Sequence, residues 1–289
     1  MEEDSNLQTK NHANKFIDVE NVIRKKNESL LKLLPKFLLN YIKKIVHENE
    51  INGFIEKNGD KKSFDFVDAI ITEFGVTVKI EGLENVPDSG ACILACNHPL
   101  GGLDAIALIK TLEKKRTDIK FLVNDILLHL KNLHTFFVPV NKHGRNSAAA
   151  MNDMQQAYSS NGVICIFPAG LVSRKQQGKI KDLEWKKSFI AMAKKHEQNI
   201  IPVYIEGQNT DFFYNLSLWR KRLGIKANIE MFYLADEMYK QRNKTIRLIF
   251  GKPIVFSTFD NSRSDKEWAQ KMKEFVYLLK DNKNILFEK

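Results

Sequence analysis

Cysteine is scarce in this chain of 289 residues: there are three, Cys92, Cys96 and Cys165. The number is odd and each lies in an apolar, strand-like run. That excludes a disulfide scaffold and fits buried free thiols in a reducing compartment. Cys92, Cys96 and His98 fall on alternate positions, but no second ligand pair at standard spacing accompanies them, so no metal site is expected. Long apolar runs are missing too, and without a stretch of about 18 such residues no membrane-spanning helix is expected. The Gly-Lys pairs in "GKIK" and "GKPI" lack the upstream glycine and the following Ser or Thr of a phosphate-binding loop. There is no G-x-S-x-G elbow, so a serine nucleophile on such a turn is excluded. Internal repeats and low-complexity linkers are absent. The opening "MEEDSNLQTKNHANK" is acidic and polar, unlike a signal peptide.

Acid is in deficit. The chain has 45 Lys and Arg against 35 Asp and Glu, a formal charge of +10. Such a balance points to an acidic partner: an anionic membrane surface, an acidic carrier or nucleic acid. Basic clusters such as "WRKRLGIK" (219–226) carry none of the patterns of a common nucleic-acid module, which ranks a membrane surface above nucleic acid. With 43% hydrophobic residues set in regular blocks, the chain reads as a folded protein with a sizeable core.

Residues 1–15 read as a polar tail, 16–75 as a helical N-terminal extension, and 76–289 as an α/β domain. In the extension, "SLLKLLPKFLLNYIKKIVHE" (29–48) has helical apolar spacing and a lysine face, and Pro35 kinks it or opens a second helix. Its apolar face suits either a membrane surface or the protein core. "SFDFVDAIITEFG" (63–75) is a further helix, with Ser63 placed to cap it and Gly75 to end it. Strands are expected at 76–82, 91–96, 119–123, 136–140, 163–167, 200–205 and 246–250. Helices are expected at 104–115, 125–132, 146–159, 184–197, 211–222 and 264–280. This alternation predicts an α/β fold with a mostly parallel central sheet flanked by helices.

In such sheets, function gathers at the carboxyl ends of strands. "ILACNHPLGGLD" ends an apolar strand in Asn97-His98 and places Asp104 at the start of a helix. Taken singly, a turn histidine and a helix-capping aspartate are ordinary. Together they form a base and its orienter: the imidazole takes a proton, and the carboxylate fixes its tautomer. Gly101 and Gly102 permit backbone angles that fold His98 back on Asp104. The pair has no nucleophile of its own, so the attacking group would be a hydroxyl of the substrate.

At this point the sequence resembles the glycerolipid, or lysophospholipid, acyltransferases. "CNHPLGGLD" is similar to their first block and "TFFVPVNKHGR" (135–145) to the second. "IFPAGLVSR" (166–174) is similar to the third and "IIPVYIEG" (200–207) to the fourth. With "KDLEWKKSF" (181–189) and "FGKPI" (250–254), the resemblance covers roughly residues 75–255. Three departures stand out. Five residues separate His98 from Asp104 where four are usual, and the glycine pair is expected to absorb the extra one. Ala169 stands where a glutamate is usual. Lys142, with Arg145 close by, stands for the arginine of the second block. The variant resembles a bacterial, hemolysin-like subgroup similar to the O-acyltransferases of ornithine and glycine lipids, whose acceptor carries no phosphate.

The resemblance implies an enzyme of membrane lipid biosynthesis that moves a fatty acyl group from a thioester to the hydroxyl of a lyso-lipid, without a covalent intermediate. The acceptor it implies is a lyso-aminolipid; the alternatives are 1-acylglycerol-3-phosphate or glycerol-3-phosphate. His98 and Asp104 would be catalytic. Asn97, Gly101, Gly102, Lys142, Arg145, Phe167, Pro168, Ala169, Gly170 and Arg174 would bind substrate. No cofactor is implied beyond the donor, a thioester of acyl carrier protein or coenzyme A. The location implied is peripheral, on the cytoplasmic face of the inner membrane. His134 and His143 flank the second block, placed where either could touch substrate. The competing expectation is a non-catalytic membrane-binding or regulatory protein on the same fold.

Overall fold

The structure is a computed structural model that describes residues 15–123, 130–139 and 148–289. Five helices open it: α1 (Val19–Lys26), α2 (Glu28–Leu33), α3 (Lys36–Ile45), α4 (Glu48–Asn58) and α5 (Ser63–Phe74). Asp18 caps α1 by accepting from the Asn21 N–H at 2.9 Å. Pro35, at the N-cap of α3, divides the 29–48 stretch into two helices, as a residue without an N–H does at a first turn. Gly75 ends α5 at φ 57°, as expected. Ser63 does not cap that helix: it is the first helical residue, at φ 54°, with Lys62 at the cap position and no side-chain cap bond.

Next come β1 (Thr77–Glu81), β2 (Cys92–Cys96), α6 (Gly102–Leu112), β3 (Ile119–Val123), β4 (Phe137–Pro139), α7 (Ala148–Ser159) and β5 (Val163–Ile166). The short strands β6 (Arg174–Gln176) and β7 (Lys179–Lys181) form a hairpin, followed by α8 (Ser188–Lys195) and β8 (Asn199–Ile205). The chain closes with α9 (Asp211–Arg222), α10 (Leu234–Tyr239), β9 (Thr245–Phe250) and α11 (Asp265–Leu278). The seven-stranded sheet runs β1-β9-β8-β2-β5-β3-β4, and five of its six pairings are parallel. The exception is β8 against β9.

Helices cover both faces of the sheet. Along β2, Cys92, Leu94 and Cys96 join the core under α5 and α6, while Ile93 and Ala95 join the core under α8 and α11. That two-sided burial is why the run is apolar throughout rather than alternating. All three cysteines are free and buried; burial pushes the Cys92 thiol up to about 11 and the other two well above the usual range. The last helix of the N-terminal extension belongs to the main core, through Phe66, Val67 and Phe74.

Some element boundaries differ from expectation for local reasons. The β6–β7 hairpin was not expected because its strands are three residues long and charged; it turns at Gln177 (φ 48°) and Gly178 (φ 78°). The helix expected from 184 starts at Ser188, because Trp185 reaches Asp182 and the Lys186 N–H bonds to the Pro168 carbonyl. Residues 131–136 form a 3-10 helix that delays β4 to Phe137, and most of the helix expected at 125–132 lies outside the described residues. The helical segment 229–239 was not expected either.

Candidate active site

β2 delivers its carboxyl end to the site, and Asn97 fixes where it stops. The Asn97 amide donates to the Ile205 carbonyl at 2.9 Å, and its oxygen accepts from the Ile205 N–H at 2.6 Å. It extends the β2–β8 pairing by one side chain. The Asn97 side chain, expected to bind substrate, is buried and spends both its polar groups on backbone.

His98 and Asp104 meet. His98 Nδ1 lies 2.9 Å from Asp104 Oδ2, and that oxygen also accepts from the N–H groups of Leu100 at 2.9 Å and Gly101 at 3.0 Å. Asp104 sits in the first turn of α6, where free N–H groups and the helix dipole favour a carboxylate. One carboxylate thus caps the helix and orients the imidazole. With Nδ1–H directed at Asp104, Nε2 is left as the proton acceptor. Asp104 is fully buried, and burial raises its carboxyl above the usual range, opposed by the bond to His98 and by the Leu100 N–H. His98 keeps 18% of its side chain exposed, enough for a proton to be taken from an entering hydroxyl.

Of the two glycines between His98 and Asp104, Gly101 takes the unusual backbone angles. Gly101 has φ 75° and ψ −127°, a conformation side chains disfavour, and a Cβ there would lie 3.2 Å from Leu234 Cδ2. Gly102 already belongs to α6, and its nearest outside neighbour is Met238 Sδ, 3.9 Å from an added Cβ.

The third block supplies the wall. Phe167 stacks on the His98 ring, centroids 4.1 Å apart with 21° between planes. Pro168 and Ala169 are buried in the turn that follows, and Gly170 is exposed. Arg174 does not reach the site. Its guanidinium is 2% exposed, bonds to Glu230 Oε1 at 3.0 Å and to the Val172 carbonyl at 2.6 Å, and lies over the Phe213 ring at 4.9 Å. Glu230 also pairs with Arg220 at 2.8 Å. Arg174, expected to bind substrate, is instead spent on Glu230 and the Val172 carbonyl. The cation presented at the third block is the exposed Lys186, whose ammonium lies 3.5 Å from where a Gly170 Cβ would be. Lys142, Arg145 and His143 lie outside the described residues, and His134 is exposed in the 131–136 turn.

Two anchors of the catalytic loop were not singled out as site residues from the sequence. Asp182 is fully buried and accepts from the His98 N–H at 3.2 Å, Ser173 Oγ at 2.6 Å and Trp185 Nε1 at 2.9 Å. The Ser173 N–H donates to the His98 carbonyl at 2.8 Å. Both backbone groups of His98 are therefore held. Gly207, the last residue of the fourth block, is the second anchor, because an added Cβ would come within 2.7 Å of Leu100. The signal for each lay in a block quoted for its resemblance, "KDLEWKKSF" and "IIPVYIEG", without a role attached. Cys92 and Cys96 point into the core, and among the described residues no three His, Cys, Asp or Glu side chains gather as metal ligands do. Beside the loop, on the α11 side, a 370 Å³ cavity opens between Pro99, Ser173, Tyr204, Tyr277 and Lys280.

A histidine held by a buried carboxylate at a strand's carboxyl end has the geometry of a general base. A family model described as "Acyltransferase" matches residues 21–285. The chain is 44% identical to a lyso-glycine lipid O-acyltransferase of Bacteroides thetaiotaomicron over 265 residues, 91% of this chain and 97% of that one. It is 43% identical to the protein of the same name from Phocaeicola vulgatus, over 91% of this chain and 95% of that one. The crystal structure of a 1-acyl-sn-glycerophosphate acyltransferase from Thermotoga maritima superposes with a TM-score of 0.48 at 18% identity, over 75% of this chain and 78% of that one. The chain belongs to the acyltransferase family.

Proposed function

We propose that the chain transfers a fatty acyl group from a thioester, of acyl carrier protein or coenzyme A, to the hydroxyl of a lyso-aminolipid of the glycine-lipid type. The observation that carries the chemistry is the 2.9 Å bond between His98 Nδ1 and Asp104 Oδ2, with Phe167 stacked on the ring. His98 Nε2 takes the hydroxyl proton as the oxygen attacks the thioester carbonyl. The imidazolium then formed is stabilised by Asp104. As the tetrahedral adduct collapses, the C–S bond breaks, and the same proton neutralises the departing thiolate. Ester and thiol are the products, and no acyl-enzyme forms.

The acceptor is read from the relatives' names and from the third block. The buried Ala169 brings no charge to this turn. Lys186 is placed to meet an anionic group at this turn, such as the acceptor's carboxylate or the donor's phosphates. Among the described residues no helix is long and apolar enough to cross a membrane. We place the enzyme at the cytoplasmic face of the inner membrane, where the thioester donor and the lipid acceptor meet.

The test supplies labelled acyl thioester with lyso-glycine lipid or lysophosphatidic acid, using wild type and His98→Ala. Product from the lyso-aminolipid alone, reduced on the order of 10²–10⁴-fold in the variant, is expected. Acylation of lysophosphatidic acid only refutes the acceptor, and equal rates from both proteins refute the base.

A further inference from the structure

Two stretches far apart in sequence leave large apolar side chains uncovered. On α9 and the turn after it, Phe212, Trp219, Leu223, Ile225 and Phe232 are 49, 65, 72, 40 and 64% exposed. Leu33, at the end of α2, is 79% exposed, and on α3 Phe37 and Tyr41 are 75 and 45% exposed, four residues apart and so on one side of that helix. α3 has no fully buried residue: Leu38, Leu39, Ile42 and Ile45 are half-buried, while Phe37 and Tyr41 are left exposed. The two stretches join: Tyr41 Oη lies 2.9 Å from Tyr233 Oη, and the Tyr233 ring packs edge-on against Phe212 at 4.9 Å.

Cations outnumber carboxylates over this face: Asp211, its side chain 82% exposed, opens α9, and Glu28 opens α2 paired with Lys32. From 212 to 232 the exposed ionisable side chains with full charge are Lys221, Arg222 and Lys226, while the only carboxylate, Glu230, is fully buried between Arg174 and Arg220. From 29 to 47 the sequence contains no Asp or Glu, and Lys36 and Lys44 are exposed. An apolar face of this kind, rimmed by cations, suits an interface that is oily inside and anionic at its surface. We propose that this face is the docking surface for a bilayer carrying anionic headgroups, with α9 and the 223–232 turn inserted beside α2 and α3. The cations alone would also suit an acidic carrier protein. The apolar side chains between them favour lipid.

The purpose of this face rests on the lipid-acyltransferase reading, and its position fits that purpose. Leu234, next in sequence after Tyr233, is the side chain that fills the space above Gly101. The Asn209 amide, just before α9, donates to the Pro99 carbonyl at 3.2 Å. Docking therefore brings the His98 loop toward the bilayer in which a long-chain acceptor resides.

The molecule carries its own reporter. Of its three tryptophans, Trp185 and Trp268 are fully buried and only Trp219 is exposed. The full chain is mixed with vesicles of phosphatidylcholine containing one third phosphatidylglycerol, or of phosphatidylcholine alone, and emission and co-sedimentation are followed without any turnover. With the anionic vesicles, emission shifts to the blue and is quenched by brominated acyl chains. Trp219→Phe abolishes the shift but not sedimentation. The Lys221→Ala/Arg222→Ala/Lys226→Ala triple variant weakens binding on the order of a hundredfold, at roughly fivefold per cation near a charged surface. Leu223→Asp/Phe232→Asp prevents sedimentation while acylation of a water-soluble short-chain acceptor persists. The proposal is overturned by vesicle binding that leaves Trp219 emission unchanged, by no binding, by emission already blue in a lipid-free dimer, or by a shift produced by acyl carrier protein and not by vesicles. Because binding is read without catalysis, a wrong acceptor leaves this result untouched, and a wrong docking face leaves acylation of the soluble acceptor intact.

Discussion

Replacing Asp104 by asparagine separates what this carboxylate does for catalysis from what it costs the fold. Oδ2 is the shared acceptor for His98 Nδ1 and the N–H groups of Leu100 and Gly101, and an asparagine oxygen in that place still accepts from all three. Oδ1 is buried and has no hydrogen-bond partner, so an NH2 group in its position loses no existing bond. What changes is the charge. Burial raises the Asp104 carboxyl above its ordinary 3.8, so the ionised form is disfavoured in the folded protein. For an acid raised in this way, the stabilising contribution is complete below 3.8 and is lost as pH climbs through the folded-state value. Asp104→Asn does not titrate. It should therefore match the wild type in Tm near pH 4 and equal or exceed it at pH 7. Catalysis moves the other way. A neutral amide orients the imidazole but cannot stabilise the imidazolium, which should cost on the order of 10³–10⁴ in kcat, about 4–5.5 kcal/mol of barrier. The measurements are thermal unfolding at several pH values and single-turnover acyl transfer. A folded variant with kcat within tenfold of wild type would show that the charge is not used. A large fall in Tm at pH 7 would show that the carboxylate is primarily structural.

Arg174→Met should act on stability rather than on substrate. Leaving the buried Glu230 short of one partner costs about 3–5 kcal/mol, a fall in Tm of roughly 10 °C, with KM nearly unchanged below that temperature. Loss of activity at an unchanged Tm would return the guanidinium to the substrate site. The same cluster sets an acid limit. Burial opposes the ionised form of Glu230, yet its own backbone N–H and Arg174 outweigh that and hold the carboxyl below its ordinary 4.5. For a depressed acid, the stabilisation is full above 4.5 and lost as pH falls below it. Unfolding midpoints measured from pH 6 to pH 3 should therefore drop more steeply in the wild type than in Glu230→Gln. Asp182→Ala leaves the His98 N–H, the Ser173 hydroxyl and the Trp185 indole without their acceptor. At about 1–3 kcal/mol for each orphaned group, it should be among the most damaging single changes at the site, whereas Asp182→Asn should recover part of both Tm and kcat. A Tm unchanged in Asp182→Ala would refute the anchoring role.

The sequence by itself determined most of the sheet and the centre of the site. β2, β5 and β8 are apolar on both faces because helices cover both sides, and that makes them legible as short continuous runs. His98 and Asp104 were legible because one turn and one helix start bring them together across six positions, so local backbone geometry is enough. What the tertiary structure alone decided is everything that depends on contacts from distant segments. Arg174 looked free for substrate until Glu230, 56 positions later, folded over it. Asn97 looked free for substrate until Ile205, 108 positions away, took both ends of its amide. Asp182 became an anchor of the catalytic loop across 84 positions. Nor did the amphipathic stretch 29–48 say what its apolar side meets, since any packed helix has such a side. The Tyr41–Tyr233 contact, spanning 192 positions, places it beside α9, with Leu33, Phe37 and Tyr41 left exposed. Apolar spacing records that a side chain seeks cover, but which surface provides that cover is set only when the chain closes on itself.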